Sequence, residues 1–370
     1  MIITAKSTDA FAKREAGGKG YNLYLLSQQG LAVPKFAVIG AQYFKDFRLS
    51  HDLDEKIGKI LEEGQKEGGS LAKASEKINK LIIECELPED IKEDARAAYR
   101  HVGAEMIAVR SSATDEDSAQ YSFAGQLSSF LFVSSETDAL LYLKECWASG
   151  YTERGLHYRI QNGISLQEGV NVAVVFQEMI DSEVSGVMFT CDPIAKDPTK
   201  YVINSVYGVG EGLVSGALDA DTFHVDKYEG KTLLSEIVKK DTKFVQKAPP
   251  EKGLKEEPVA EALQEKPSLT EDELHQLAHI GKDIQHFYHY PQDIEWARKD
   301  GVFYVLQSRP VTTDVRQDEG VLNIWDNSNI VESYGGLTLP LTFTFAHYVY
   351  HQVYVQFCEI MMVPARTIRD

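Results

Sequence analysis

Apolar residues follow two different spacings along this chain. Up to about residue 100 they recur three and four positions apart, the spacing of one helix face, and predict helices over 21–29, 40–49, 52–66 and 70–84, with a fifth after Pro88. Gly17-Gly18-Lys19-Gly20 opens the first of these and Gly30 closes it, while Val33–Ile39 reads as a short strand. From Met106 the pattern changes to short apolar runs, predicting strands over 106–110, 128–133, 171–179, 184–190 and 201–206. Helices near 136–149 and 152–160 interrupt them. Residues 243–268, rich in Lys, Glu and Pro, show no periodicity and read as an exposed loop without chemistry. Thr270-Glu-Asp-Glu273 is a capping box starting a helix that runs to about Tyr288, followed by strands over 292–298 and 302–309. After Thr313 the composition shifts again, towards an aromatic helical stretch over 342–360. Interleaved strands and helices of this kind indicate a mixed fold, α/β or α+β.

Length and charge narrow the choice of partners. A chain of 370 residues with 43% hydrophobic content can bury a large core, and two or more subdomains are expected. The formal charge of −18 leaves no basic stripe for a nucleic-acid backbone. Cys85, Cys146, Cys191 and Cys358 are isolated and read as reduced thiols. The first residues lack the regions of a signal peptide and no run approaches eighteen apolar residues, so the expectation is a soluble, cytoplasmic protein without a membrane partner.

Five segments carry candidate chemistry. The apolar run Ile107-Ala-Val109 delivers Arg110 to a loop of hydroxyls and carboxylates. Arginine grips phosphate oxygens in a bidentate manner, and Ser111, Ser112 and Thr114 add short hydroxyls and backbone N–H groups. The same residues also suit a loop capped by its own side chains around a surface arginine. Gly17-Gly18-Lys19-Gly20 is not a P-loop, because Tyr21 stands where Ser or Thr is required; on its own it is a helix-start turn. Val172–Ile180 is an apolar strand ending in Gln177, Glu178, Met179 and Ile180; it reads as a core strand, or as one that offers backbone groups to an adenine edge. Gly208-Val-Gly210-Glu211-Gly212 is glycine-rich but lacks the βαβ context of a dinucleotide fold.

The fifth segment is a hairpin, Asp293-Ile-Glu295-Trp-Ala297 and Val305-Leu-Gln307-Ser-Arg309, about Lys299-Asp300-Gly301. A three-residue turn with Gly301 left-handed pairs Glu295 with Val305 and Asp293 with Gln307. Alternation then sets Asp293, Glu295, Gln307 and Arg309 on one face, with Ile294, Trp296, Tyr304 and Leu306 on the other. Oxygen donors beside an arginine suit Mg²⁺-triphosphate, since magnesium takes few carboxylates and shares phosphate oxygens; a solvated hairpin face is the plainer alternative. Arg309, at the strand end, is expected to serve phosphate contact more than folding.

Taken together, Arg110-Ser-Ser-Ala-Thr-Asp-Glu with Ser122-Phe-Ala-Gly-Gln126, Ser185-Gly-Val-Met-Phe-Thr-Cys-Asp-Pro193, Asn204–Gly216, Asp293-Ile-Glu-Trp296 and Leu306-Gln-Ser-Arg-Pro-Val-Thr312 resemble the nucleotide-binding domain of the phosphoenolpyruvate synthase and pyruvate phosphate dikinase family over roughly residues 10–314. The resemblance implies an ATP-grasp-like domain of two lobes, 1–165 and 166–314, followed by the start of a helical acceptor or linker domain over 321–370. It implies ATP and Mg²⁺ as ligands. Lys19, Arg110 and Arg309 would contact phosphates, and Glu295 and Gln307 the metal. Ser111, Thr114, Gly125, Gln177, Glu178, Met179, Ile180 and Glu211 would line the nucleotide. In that family the ATP β-phosphate passes to a histidine on a separate domain, and then to pyruvate or another small molecule. None of the ten histidines here stands in the family's G-G-x-T-[SC]-H-A context, so the acceptor histidine is expected outside this chain, in a longer polypeptide or a partner subunit. The stretch Trp325–Tyr334 with Leu339-Pro-Leu-Thr-Phe343 is similar to rifamycin phosphotransferases, which leaves a small-molecule phosphotransferase as the alternative reading.

Overall fold

The computed structural model describes residues 2–7, 13–66, 68–113, 128–162, 170–247, 251, 253–311, 348–353 and 355–356. The chain divides into two compact units, Met1–Arg316 and Gln317–Asp370. In the second unit the described residues are helical.

In the first unit the chain runs β1 (Ile2–Thr4), α1 (Lys13–Gln28), β2 (Phe36–Ile39), α2 (Ala41–Ser50), α3 (Leu53–Gln65), α4 (Leu71–Glu84), α5 (Glu89–Val102), β3 (Ile107–Ala113), β4 (Ser129–Val133), α6 (Glu136–Ala148), α7 (Glu153–Gln161) and β5 (Val172–Glu178). Then follow β6 (Val184–Phe189), β7 (Lys200–Tyr207), α8 (Glu211–Val214), β8 (Asp221–Asp226), β9 (Thr232–Glu236), β10 (Thr242–Gln246), β11 (Leu254–Pro258), α9 (Glu261–Gln264), α10 (Glu271–Tyr288), β12 (Gln292–Lys299) and β13 (Val302–Pro310). No helix among the described residues is long and apolar enough to cross a membrane.

The first sheet has the order β1-β2-β5-β3-β4, with every neighbouring pair antiparallel. Its central strand β5 is apolar almost throughout because both of its faces are covered. Val172, Val174 and Phe176 join the cluster under α2 to α6, whereas Ala173 and Val175 meet α1 residues such as Leu23. The helical side is built on aromatics, with Phe44 stacked on Trp147 at 5.1 Å between ring centroids. Both are fully buried, so truncating Trp147 to Ala should cost about 3–5 kcal/mol. Side-chain caps set the helix starts: Ser70, Ser135 and Thr152 each accept a backbone N–H at α4, α6 and α7.

The second sheet has the order β13-β12-β6-β7-β8-β9, again antiparallel throughout. The fold is therefore mixed, with the α+β kind of pairing. Helix α10 covers one face of this sheet, where Leu274 and Leu277 pack with Ile203, Phe223, Ile294 and Trp296. Its N-terminus carries the expected capping box between Thr270 and Glu273.

Three expectations change. Strand β5 lies beyond residue 165 yet belongs to the first sheet, so the passage between sheets comes after Glu178. It is held there by its pairing with both β2 and β3. The segment 243–268 is not a loop: β10 and β11 form a separate antiparallel hairpin, followed by α9. Phe244 anchors it, its carbonyl accepting from Val209 N at 2.8 Å.

The terminal hairpin also differs in register. Glu295 pairs with Gln307 and Asp293 with Arg309, and a bulge follows Glu295. The turn has two residues, Asp300 and Gly301, both at positive φ (49° and 75°), as two-residue hairpin loops with the strand twist require. The two-residue turn sets Phe303 and Val305, rather than Tyr304 and Leu306, on the core face with Ile294 and Trp296, and the bulge brings Gln307 and Arg309 opposite Glu295 and Asp293.

Candidate functional site

The site begins where α1 meets β3. Gly17, at φ 69°, breaks the helix, and a Cβ there would lie 2.1 Å from Ser112 O. The close approach lets Ser112 Oγ donate to Ala16 O (2.8 Å) and accept from Gly20 N (3.1 Å). Lys19 is thereby fixed in the turn following the break, with Nζ donating to Ser111 O at 3.3 Å.

One residue earlier on β3, Arg110 reaches out towards the second sheet. Its Nη1 donates to Gln177 Oε1 (3.2 Å) on β5 and its Nη2 to Gln307 Oε1 (2.7 Å) on β13. Glu295 Oε2 lies 3.8 Å from the same Nη2. Gln177 Nε2 continues the connection by donating to Leu306 O at 3.0 Å. Arg110 Nε is buried and has no hydrogen-bond partner among the described residues. A guanidinium so oriented is half committed to protein oxygens and keeps donor capacity.

Beside this junction lies a cleft of about 320 Å³ between the two sheets, within the range of small-molecule sites. It is lined by Arg110, Gln177, Glu178, Met179, Ile180, Glu211 and Glu295, with Leu131, Val187, Leu213 and Leu306 supplying apolar walls. Lys19 and Gln307 line a much smaller adjoining recess that shares Arg110, Gln177 and Leu306 with the cleft. Gly186 forms part of the wall; a Cβ there would fall 1.9 Å from Asn204 O and 2.7 Å from the Trp296 ring.

The linker Met179–Ile180 is tied down at each end. Met179 N donates to Met106 O at 3.1 Å, and its sulfur accepts from Phe132 N at 3.0 Å. Glu178 Oε2 accepts from Lys35 N at 3.2 Å. Gln246 Nε2, from the unforeseen β10, donates to Ile180 O at 3.4 Å. Gln246 is a residue the sequence did not disclose, because Thr242–Gln246 stands in a Lys- and Glu-rich run without a strong apolar signal.

Two of the predicted residues that the structure describes, Ser111 and Arg309, stand apart from this cluster. Ser111 is fully buried on the opposite face of β3 from Arg110, and its hydroxyl donates to Ser128 O at 2.7 Å. Thr114 and Gly125 lie outside the described residues. Arg309 is one register step beyond Gln307 and is not free: Nε and Nη2 both contact Asp293 Oδ2, at 2.8 and 2.7 Å. The Asp293 side chain is only 11% exposed, so Arg309 also neutralises a nearly buried carboxylate.

Glu295 and Gln307, directly opposed across the hairpin, offer a carboxylate and an amide oxygen, the hard donors magnesium accepts. The pair already accommodates positive charge, since Arg110 Nη2 sits against both. Among the described residues no group of three or more His, Cys, Asp or Glu side chains could hold a metal ion, so further ligands would come from phosphate or water.

Residues 13–324 match the pyruvate phosphate dikinase AMP/ATP-binding domain. The chain is 38% identical over 306 residues to a probable phosphoenolpyruvate synthase of Methanocaldococcus jannaschii, covering 80% of this chain and 25% of the relative. It is 37% identical over 300 residues to a rifampicin phosphotransferase of Bacillus cereus, covering 80% and 34% respectively. Against the phosphoenolpyruvate synthase of Pyrococcus furiosus identity is 33% over 342 residues, 42% of that protein. The chain thus spans a quarter to less than half the length of these curated relatives. It belongs to the pyruvate phosphate dikinase AMP/ATP-binding domain family.

Proposed function

We propose that the chain binds Mg-ATP in the cleft between the two sheets and serves as the ATP-dependent part of a phosphotransferase of the phosphoenolpyruvate synthase type, with an ATP-grasp-like architecture. The observation that carries this reading is the convergence on Arg110 of Gln177, Gln307 and Glu295 from both sheets, beside a cleft lined by Glu178–Ile180. The linker backbone and the apolar walls suit an adenine, and Arg110 and Lys19 are suited to phosphates, with Arg309 one register step beyond Gln307. Glu295 and Gln307 would hold magnesium, which neutralises charge on the phosphate oxygens. Arg110 and Arg309 would meet the charge developing on the transferring group with donors already in place.

The β-phosphate would pass to a histidine on a domain beyond this chain, and from it to pyruvate or another small molecule. The rifampicin phosphotransferase relative, at nearly the same identity as the synthases, keeps an antibiotic-type acceptor as the second reading.

Calorimetric titration with ATP in the presence and absence of Mg²⁺ tests the binding step. Arg110→Lys keeps the charge but loses the fork that spans Gln177 and Gln307, and should weaken binding by about 1.5–3 kcal/mol, roughly ten- to a hundredfold. Unchanged affinity in this variant would contradict the placement of the phosphates.

A further inference from the structure

A second pocket lies away from the nucleotide cleft. It has a volume of about 250 Å³ and opens beside α10 and the turn after β8. That helix packs on the Ile294 and Trp296 face of the second sheet, whereas Glu295 and Ala297 on the other face line the cleft. Nothing in the ATP reading uses this pocket.

Its floor is Lys227. The turn that carries this lysine is fixed: Asp226 Oδ1 accepts from Tyr228 N (2.8 Å) and Glu229 N (2.5 Å), and Lys227 N donates to Thr199 O (3.0 Å). The Lys227 ammonium lies 5.1 Å from the centre of the Tyr201 ring and donates to the neutral amide oxygen of Gln285 at 2.8 Å. Among the described residues no carboxylate lies in ion-pairing contact with it. Half-burial without a countercharge pushes its pKa from 10.5 to about 8, although Cys191 and Asp197 nearby favour the charged form.

The walls are cationic or ionisable. His275, His279 and Lys282 stand four and three residues apart on α10 and line the pocket on one helix face. The two acids at the rim are already engaged, Asp226 by its turn and Glu229 by Lys231 Nζ at 2.8 Å. Lys282 is the lining cation left to meet an anion once Lys227 is the neutral amine.

We propose that Lys227 is a modification site, a nucleophilic amine in a pocket that admits small acyl phosphates. The neutral Nζ attacks the acyl carbon, the bond from that carbon to the phosphate oxygen breaks, and inorganic phosphate leaves with the bonding pair. The extra proton on nitrogen passes to water, leaving an N-acyl-lysine with no change of oxidation state. Lys282 draws the anionic donor in and favours departure of phosphate. Acylation removes the charge held against Tyr201 while leaving one N–H for Gln285.

At pH 7.5 a lysine of pKa near 8 holds roughly two hundredfold more free amine than one at 10.5, and lower basicity takes back part of that gain. Treating the full chain with acetyl phosphate and following peptide masses over time tests the proposal. Lys227 should acetylate about tenfold faster than the exposed Lys239, with a rate that rises through pH 8 and falls when inorganic phosphate is added. Lys282→Gln should slow acetylation by acetyl phosphate several-fold, and leave labelling of Lys227 by uncharged acetic anhydride unchanged. The proposal is overturned if Lys227 reacts no faster than Lys239 with acetyl phosphate. Rapid labelling by the anhydride alone overturns the selection of an anionic donor.

Discussion

Arg110 Nη2 donates to Gln307 Oε1 at 2.7 Å, so a residue of the first sheet and one of the second share a hydrogen bond at the edge of the cleft. The contact is possible because Gln177, 3% exposed, holds the guanidinium from behind and is itself anchored to Leu306 O. Gln177 is therefore read as a positioning residue. Gln177→Leu should lower stability by about 1–3 kcal/mol, since it leaves a carbonyl and a guanidinium N–H without partners. It should also weaken ATP binding, while Gln177→Glu, which keeps an acceptor for Arg110, should lose less affinity. Denaturant unfolding and calorimetry on the two variants separate these effects.

Arg309 is expected to act on both stability and affinity, contrary to what a strand-end arginine alone suggests. Arg309→Ala leaves the Asp293 carboxylate, 11% exposed, without its guanidinium, and should cost about 1–3 kcal/mol. Adding Asp293→Asn should recover part of the stability without restoring ATP affinity. Recovery of both in the double variant would show that the arginine has no phosphate role.

Gly186→Ala places a methyl group against Asn204 O and the Trp296 ring, where backbone cannot yield cheaply. A loss of about 1–3 kcal/mol or more is expected from overpacking, measured as a lower unfolding midpoint. Gly230→Ala, with open space around its Cβ but φ of 68°, should cost less and through backbone strain alone.

The burial of Lys227 gives a pH signature. Its pKa is lowered in the folded state to about 8, so the desolvation cost is fully present below pH 8. Between pH 8 and 10.5 the unfolded chain binds the proton and the folded one does not, so stability rises with pH through this window. Lys227→Met should therefore be more stable than the parent below pH 8, with the gap closing towards pH 10.5. Unfolding curves of both proteins across that range check the sign.

What the sequence disclosed follows from how strongly each segment is buried. Strand β5 was legible because both of its faces are covered and its apolar run is nearly continuous. The capping box of α10 was legible because Thr270 and Glu273 satisfy each other locally. Strands β9 and β11 were not, since most of their side chains face solvent and Leu-Lys-Glu-Glu-Pro carries no alternation. In the terminal hairpin the shared polar face of Asp293, Glu295, Gln307 and Arg309 was legible, but its register was not. A three-residue turn takes in Lys299, whereas Asp300-Gly301 closes the hairpin alone and the bulge after Glu295 adds a shift that no residue type announces. The carboxamide bridge of Gln177 depends on two sheets meeting, which no local pattern encodes.

The most direct measurement is a structure of the protein with Mg²⁺ and a non-hydrolysable ATP analogue. The account predicts the adenine against Glu178–Ile180, the triphosphate beside Arg110, and the metal on Glu295 and Gln307. A nucleotide bound outside the cleft, or one whose phosphates lie away from Arg110 and the Glu295–Gln307 pair, would contradict it.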